Sequence, residues 1–137
     1  DITYHGPGQL VVYPIIDLDD YNMGTKEYIY SLEYMIIEIL EEYNIKGEIS
    51  EGNIGVWLDV GSSAERKICS IGVKVSRGIT MHGLALNVNT DLSYFEYINP
   101  CGFTTKGVTS MKNELKEEID LKEIADQIKS KFLTYFK

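Results

Sequence analysis

An α+β fold, with helices packed on a mixed and mainly antiparallel sheet, is what this chain of 137 residues predicts. Three observations carry that expectation. A helix-period pattern lies near the start and another closes the chain; four short extended segments lie between them; and Gly-, Ser- and Arg-Gly-containing loops punctuate those segments. No internal repeat, low-complexity stretch or interdomain linker interrupts the order, so residues 1–137 read as one domain.

Leu10 to Ile16 is apolar and rich in valine and isoleucine, and it follows the Gly6-Pro7-Gly8 turn, so it reads as a buried strand. From Thr25 to about Tyr43, the spacing of Ile29, Leu32, Ile36, Ile39, Leu40 and Tyr43 by threes and fours marks an amphipathic helix. Asn44 can end it, because asparagine tolerates the left-handed backbone of a helix terminus. The extended candidates are Gly47 to Ser50, Gly55 to Val60, Lys67 to Val75 and Ile79 to Asn89. In the third, Ile71, Val73 and Val75 share one face, and Gly72 leaves room for a close ligand or backbone approach. Asp120 followed by Glu123 has the spacing of a capping box, after which Leu121, Ile124, Ile128, Phe132 and Phe136 form an inner stripe. The acidic run Glu114 to Asp120 reads as a solvated face.

Composition bounds the function. A chain of this length, 44% hydrophobic, can bury roughly two-thirds of its unfolded surface in one core. The formal charge of −8 argues against nucleic acid, which requires clustered Lys and Arg to displace counterions. No apolar run approaches the roughly 20 residues that cross a bilayer, and no signal peptide opens the sequence. Cys69 and Cys101 are expected as free thiols in a reducing cytoplasm. Together with His5 and His82 they show none of the paired spacings of a structural zinc site, so no metal is expected.

Cys101 lies between Pro100 and Gly102, a setting that presents a thiol, although a free cysteine is by default a small buried hydrophobe. Three blocks now matter together: TYHGPGQ at residues 3–9, KICSIGVKVSRGITMHG at 67–83, and HGLALNVNTDLSYFEYINPCG at 82–102. In order and spacing they resemble the octanoyltransferases of lipoate biosynthesis, also called lipoyl(octanoyl) transferases, and the resemblance runs from Asp1 to about Met111. It implies the fold of the biotin and lipoate protein ligases and transferases. It also implies that Cys101 is the acyl-thioester nucleophile, that Lys67 is its catalytic partner, and that Thr3, Tyr4, His5, Ser70, Ile71, Gly72, His82, Gly83, Leu84 and Ala85 line the substrate site. The implied donor is octanoyl-acyl carrier protein; the implied acceptors are the lipoyl domains of 2-oxoacid dehydrogenase complexes and the glycine cleavage H protein; no cofactor is implied. Family members carry a long segment ahead of the position of Asp1, including an Arg-Gly-Gly, so the sequence reads as a domain truncated at its amino terminus, with an acyl pocket open on one side.

The chemistry fits those residue types. A cysteine has a pKa of about 8.5, so a nearby ammonium is needed to raise its thiolate fraction at neutral pH. Cys69, two residues from Lys67, competes for the nucleophile's role by charge alone, and Lys67 without the family would read as a solvated residue at a strand start. His5 and His82 read as hydrogen-bonded or pocket-lining groups, and Asn87 and Asn89 as anchors of local main chain. Because the acyl carrier is itself acidic, docking onto a chain of this charge calls for a local basic patch, for which Lys67, Lys74, Arg77, Lys106 and Lys112 are candidates. Two other functions compete: an ATP-dependent lipoate or biotin ligase on the same fold, whose Gly- and Arg-rich nucleotide loop is not found here, and a catalytically impaired fragment that serves as a binding module.

Overall fold

The computed structural model describes residues 6–93 and 107–137. Its elements follow the order β1 (Gln9–Val12), a 3-10 turn at Leu18–Tyr21, α1 (Thr25–Glu41), β2 (Glu48–Ser50), β3 (Asn53–Leu58), β4 (Arg66–Ser76), β5 (Ile79–Asn87), β6 (Gly107–Val108), α2 (Met111–Leu115) and α3 (Leu121–Tyr135). The strands form one sheet in the order β1-β5-β4-β3-β2, all neighbours antiparallel, and β6 adds a parallel pairing to β4. The sheet is therefore mixed and mainly antiparallel, as the sequence predicts.

Local chemistry explains the boundaries. The first strand stops at Val12, short of the expected Ile16, because Pro14 has no N–H to give a ladder. Pairing resumes beyond it, where the Thr80 amide donates to the Ile16 carbonyl at 3.0 Å. At the start of α1, Glu27 accepts a hydrogen bond from the Gly24 amide at 3.2 Å; beyond its end, Asn44 takes the left-handed conformation at φ 60°. The β4–β5 connection is a two-residue turn, Arg77 and Gly78, with φ of 52° and 83°, the two positive values that a type I′ hairpin demands.

The core lies between the sheet and α1, with α3 packed beside α1. Of the expected stripe, Leu32, Ile36, Ile39 and Leu40 are buried; Tyr28, Glu33 and Met35 join them, so the helix is covered over a wider arc than its apolar pattern marks. Ile71, Val73 and Val75 pack together against this core. On α3, Ile124 and Ile128 are buried, as is Phe136 at its C-cap, and Asp120 caps the other end by accepting from the Lys122 amide. Glu123 meets the Tyr43 hydroxyl across the α1–α3 seam, an engagement that its spacing from Asp120 did not indicate. Among the described residues, no helix is long and apolar enough to cross a membrane.

Candidate functional site

Lys67 stands near the start of β4, where strands flank it on both sides. Its register partner on β3 is Trp57, and on the other side it pairs with Val108 of β6. The ammonium lies 5.0 Å from the Trp57 ring centroid, inside cation–π range. Trp57 is only 5% exposed, and its indole N–H donates to the Asn53 carbonyl at 3.0 Å, which fixes the ring. Gly55, at φ 130°, lies beside the lysine stem: a Cβ there would be in ordinary contact with Lys67 Cε at 3.5 Å but would clash with the Cys69 carbonyl oxygen at 2.6 Å.

Two residues further on, Cys69 is fully buried. Burial pushes its thiol far above the usual range, the Glu33 charge adds to the rise, and the Lys67 ammonium and the Ala85 amide counter only part of it. A thiol held protonated in this way is a poor nucleophile. Glu33, 3% exposed on α1, accepts a hydrogen bond from the Gly55 amide at 3.1 Å; burial raises its pKa and that hydrogen bond works against the rise.

The remaining described positions meet across β4 and β5. Ser70 pairs with Ala85, Ile71 with Leu84, Gly72 with Gly83 and Val73 with His82, so residues far apart in sequence form adjacent rungs of one ladder. Alternation then divides them. Ile71 and Leu84 pack with the core, leaving their backbones to any site on the opposite face, which carries Ser70, Gly72, Gly83 and Ala85. The two glycines differ. Nothing lies within 4 Å of a Cβ added at Gly72, whereas one at Gly83 would meet the Val12 carbonyl oxygen at 2.1 Å. His82 is exposed, adopts φ 62° within a strand, and meets the Tyr13 ring edge-on at 6.1 Å. Thr3, Tyr4, His5, Cys101 and the basic candidate Lys106 lie outside the described residues.

The asparagines anchor main chain as the sequence suggests. Asn87 donates to the Thr109 carbonyl and accepts from Gln9, while Asn89 both donates to the Ile119 carbonyl and accepts from its amide. Thr109 in turn donates its amide to the Lys67 carbonyl at 2.9 Å. Beside this, Arg66 makes a two-pronged contact with Glu114 through bonds of 2.7 and 2.8 Å and reaches Asp59 at 2.7 Å, which holds the Glu114 carboxyl below its ordinary pKa. Glu114 is thus a structural ion-pair partner and not simply part of a solvated acidic face. Its role was hidden because its partner lies 48 positions earlier.

Two residues of this neighbourhood, Trp57 and Glu33, had no assigned role in the sequence reading. Each left a signal: Trp57 is the sole tryptophan, set two residues after a glycine, and Glu33 interrupts the apolar stripe of α1. Glu33 also lines a cleft of about 530 Å³ between α1 and the β2–β3 turn, together with Ile29, Tyr30, Ile49 and Ile54; none of the residues in that cleft is a sequence-derived site residue.

Comparison with known proteins adds the family. The chain is 56% identical over 137 residues to the octanoyltransferase of Parabacteroides distasonis, an alignment covering 99% of this chain and 62% of that protein. With the octanoyltransferase of Bacteroides thetaiotaomicron it shares 53% identity over 128 residues, covering 93% of this chain and 56% of the relative. The chain thus spans 56–62% of the length of these two curated relatives. Among solved structures, it resembles apo biotin protein ligase from Aquifex aeolicus at TM-score 0.71 and 18% identity, over 93% of this chain and 52% of that one. It also resembles the bipartite lipoate protein ligase of Thermoplasma acidophilum at TM-score 0.68 and 18% identity, over 94% and 51%. These two likenesses establish the fold, that of the biotin and lipoate protein ligases. Residues 1–133 match the family described as "Lipoyl protein ligase A/B catalytic domain", to which this chain belongs.

Proposed function

We propose that this chain is the catalytic domain of an octanoyltransferase that works in the cytoplasm through a Cys101–Lys67 pair. The observation that carries the reading is the 56% identity with an octanoyltransferase along 137 residues, a span that takes in the Lys67 block and the Pro100-Cys101-Gly102 block. Chain connectivity supports it: Gly107, six residues after Cys101, pairs with Arg66, next to Lys67. The burial of Cys69 supports it too, since it weakens the competing thiol.

In the first step the Cys101 sulfur attacks the thioester carbonyl of octanoyl-acyl carrier protein. Lys67 takes the thiol proton and returns it to the departing carrier thiolate, leaving octanoyl-Cys101. In the second, the lysine amine of a lipoyl domain, on a 2-oxoacid dehydrogenase complex or a glycine cleavage H protein, attacks that thioester. An amide forms, the Cys101 sulfur leaves, and the amine proton passes to it through Lys67. One thioester replaces another before the amide forms, so no ATP and no cofactor is needed. Each tetrahedral oxyanion requires donors in place as charge develops.

Thr3, Tyr4, His5, Ser70, Ile71, Gly72, His82, Gly83, Leu84 and Ala85 are assigned to the acyl site. At Gly72 an added Cβ meets nothing within 4 Å, so Gly72→Leu should be tolerated by the fold while cutting transfer of an octanoyl tail. The deciding experiment is intact mass after mixing with octanoyl-acyl carrier protein. A covalent octanoyl adduct is expected, lost in Cys101→Ser and kept in Cys69→Ser; octanoyl mapped to Cys69 would overturn the assignment.

A second reading draws on the likeness to a biotin protein ligase and a lipoate protein ligase. An ATP-dependent ligase would form product from octanoate and ATP and would ignore octanoyl-acyl carrier protein. A third, a binding module without turnover, draws on the chain's partial coverage of its relatives and predicts no adduct with either mixture.

A further inference from the structure

We propose that Trp57 is the positioning residue for the Lys67 ammonium, an inference that rests on the Cys101–Lys67 reading above. The indole is fixed from three directions. Trp57 is the register partner of Lys67 in the β3–β4 ladder, it is only 5% exposed, and its indole N–H donates to the Asn53 carbonyl at 3.0 Å. The lysine stem lies beside it and over Gly55, where an added Cβ would be in ordinary contact with Lys67 Cε at 3.5 Å and would clash only with the Cys69 carbonyl oxygen at 2.6 Å. A lysine has four rotatable bonds, and a free ammonium would sample many positions. The negative face of a fixed ring, 5.0 Å from Nζ, selects one of them.

Besides the ring, the titratable groups near Lys67 include the Cys69 thiol on its own strand, whose pKa its charge lowers, Glu33, which reaches the Gly55 amide from α1, and Glu65 and Arg66, which precede it in sequence. Arg66 is committed to Glu114 and Asp59. Glu33 is committed to the Gly55 amide. Trp57 acts through Lys67 and is assigned no contact with substrate.

Because the chain holds a single tryptophan, biosynthetic incorporation of fluorinated tryptophan alters Trp57 alone. Successive fluorines drain the ring's negative face while leaving its shape nearly unchanged. Two readouts are taken on the full chain with 5-fluoro- and 5,6,7-trifluorotryptophan: the pH midpoint of Cys101 alkylation, followed by peptide mass, and the thermal midpoint of unfolding. The alkylation midpoint should rise stepwise with fluorination, reaching about half a pH unit for the trifluoro protein, with thermal midpoints nearly unchanged. In Lys67→Met it should rise further and lose its dependence on fluorination. In the 5-fluoro protein, the fluorine resonance should shift on Lys67→Met whether or not Cys101 responds.

The outcomes separate the two ideas. If Lys67→Met leaves the Cys101 midpoint in place, the dyad reading fails and the positioning role fails with it. If Lys67→Met moves the midpoint but fluorination does not, or lowers it, Trp57 has only a packing role and the inference alone is overturned. Trp57→Phe supplies an independent check with natural residues: it should lie between wild type and Lys67→Met in alkylation midpoint if it folds, and the fluorinated proteins decide the matter if it does not.

Discussion

Gly72 and Gly83 sit on one rung of the β4–β5 ladder, yet they are glycines for different reasons. At Gly83 a methyl group would stand 2.1 Å from the Val12 carbonyl oxygen and 2.8 Å from Pro14 Cδ, so backbone of the first strand already occupies its space. At Gly72 the same methyl meets nothing. Gly83→Ala should therefore destabilise the protein by about 1–3 kcal/mol, and Gly72→Ala should stay within about 0.5 kcal/mol of wild type, both measured by urea unfolding. Equal losses in the two variants would contradict this account. From sequence, Gly72 reads as room for a close ligand or backbone approach and Gly83, through the resemblance, as part of the substrate site, because a glycine advertises a missing side chain and not what fills the gap. Cys69 shows the opposite case: its nearness to Lys67 was visible in the chain, but its burial depended on strands that the chain brings together only when folded.

Individual elements are held by polar contacts that periodicity does not reveal. The main apolar patterns located α1, α3 and the long strands to within a few residues, since each repeats over several turns or rungs. The 3-10 turn, β6 and α2 are two to five residues long, too short to carry a period, and each depends on a distant partner. The Arg66–Glu114 pair is one of the contacts that hold α2, beside the buried Met111 and the bond from the Lys112 amide to the Val88 carbonyl. Arg66→Ala or Glu114→Gln should cost roughly 1–3 kcal/mol at pH 7, because the surviving partner is left poorly solvated. Since Arg66 depresses the Glu114 pKa, the contribution is present above the ordinary carboxylate value of 4.5 and is lost as pH falls through the depressed one, so wild type and variant should converge in acid. Denaturant midpoints at pH 7 and pH 3 would check this. The α1–α3 seam responds at the other end of the scale. Tyr43 bonds Glu123 and Tyr135 bonds Glu38; partial burial and those carboxylates push both phenols up to about 12. Raised folded values mean that the seam's contribution is intact below the ordinary 10.0 and is lost as pH rises through about 12. Wild type should lose thermal stability between about pH 10 and 12 more steeply than the Tyr43→Phe, Tyr135→Phe double variant.

At the scale of the whole molecule, a net charge of −8 keeps copies apart while one edge of the sheet invites them together. Tyr13 and Ile15, on the first-strand side, are 55% and 76% exposed, with Val11 at 37% and Met81 at 36% nearby. Ile15→Lys should leave the unfolding midpoint nearly unchanged and lower concentration-dependent light scattering; increased scattering would mean that the edge is not the associating surface. The same edge has a kinetic consequence. The β3–β4–β5 meander closes through short turns, but β1 joins β5 across a sequence separation of 78, from Gln9 to Asn87. Closing so long a loop before its contacts form is entropically expensive, so β1 should dock last. Substitutions at Leu10 or Val12 should then speed unfolding and leave the folding rate unchanged, while substitutions at Val73 or Val75 slow folding. Residues 3–5, assigned to the acyl site, precede this late strand by only the Gly6-Pro7-Gly8 turn. On that assignment a newly made chain would reach a stable, compact state before it could hold its substrate, and a cell's population of this protein would include folded molecules not yet able to act.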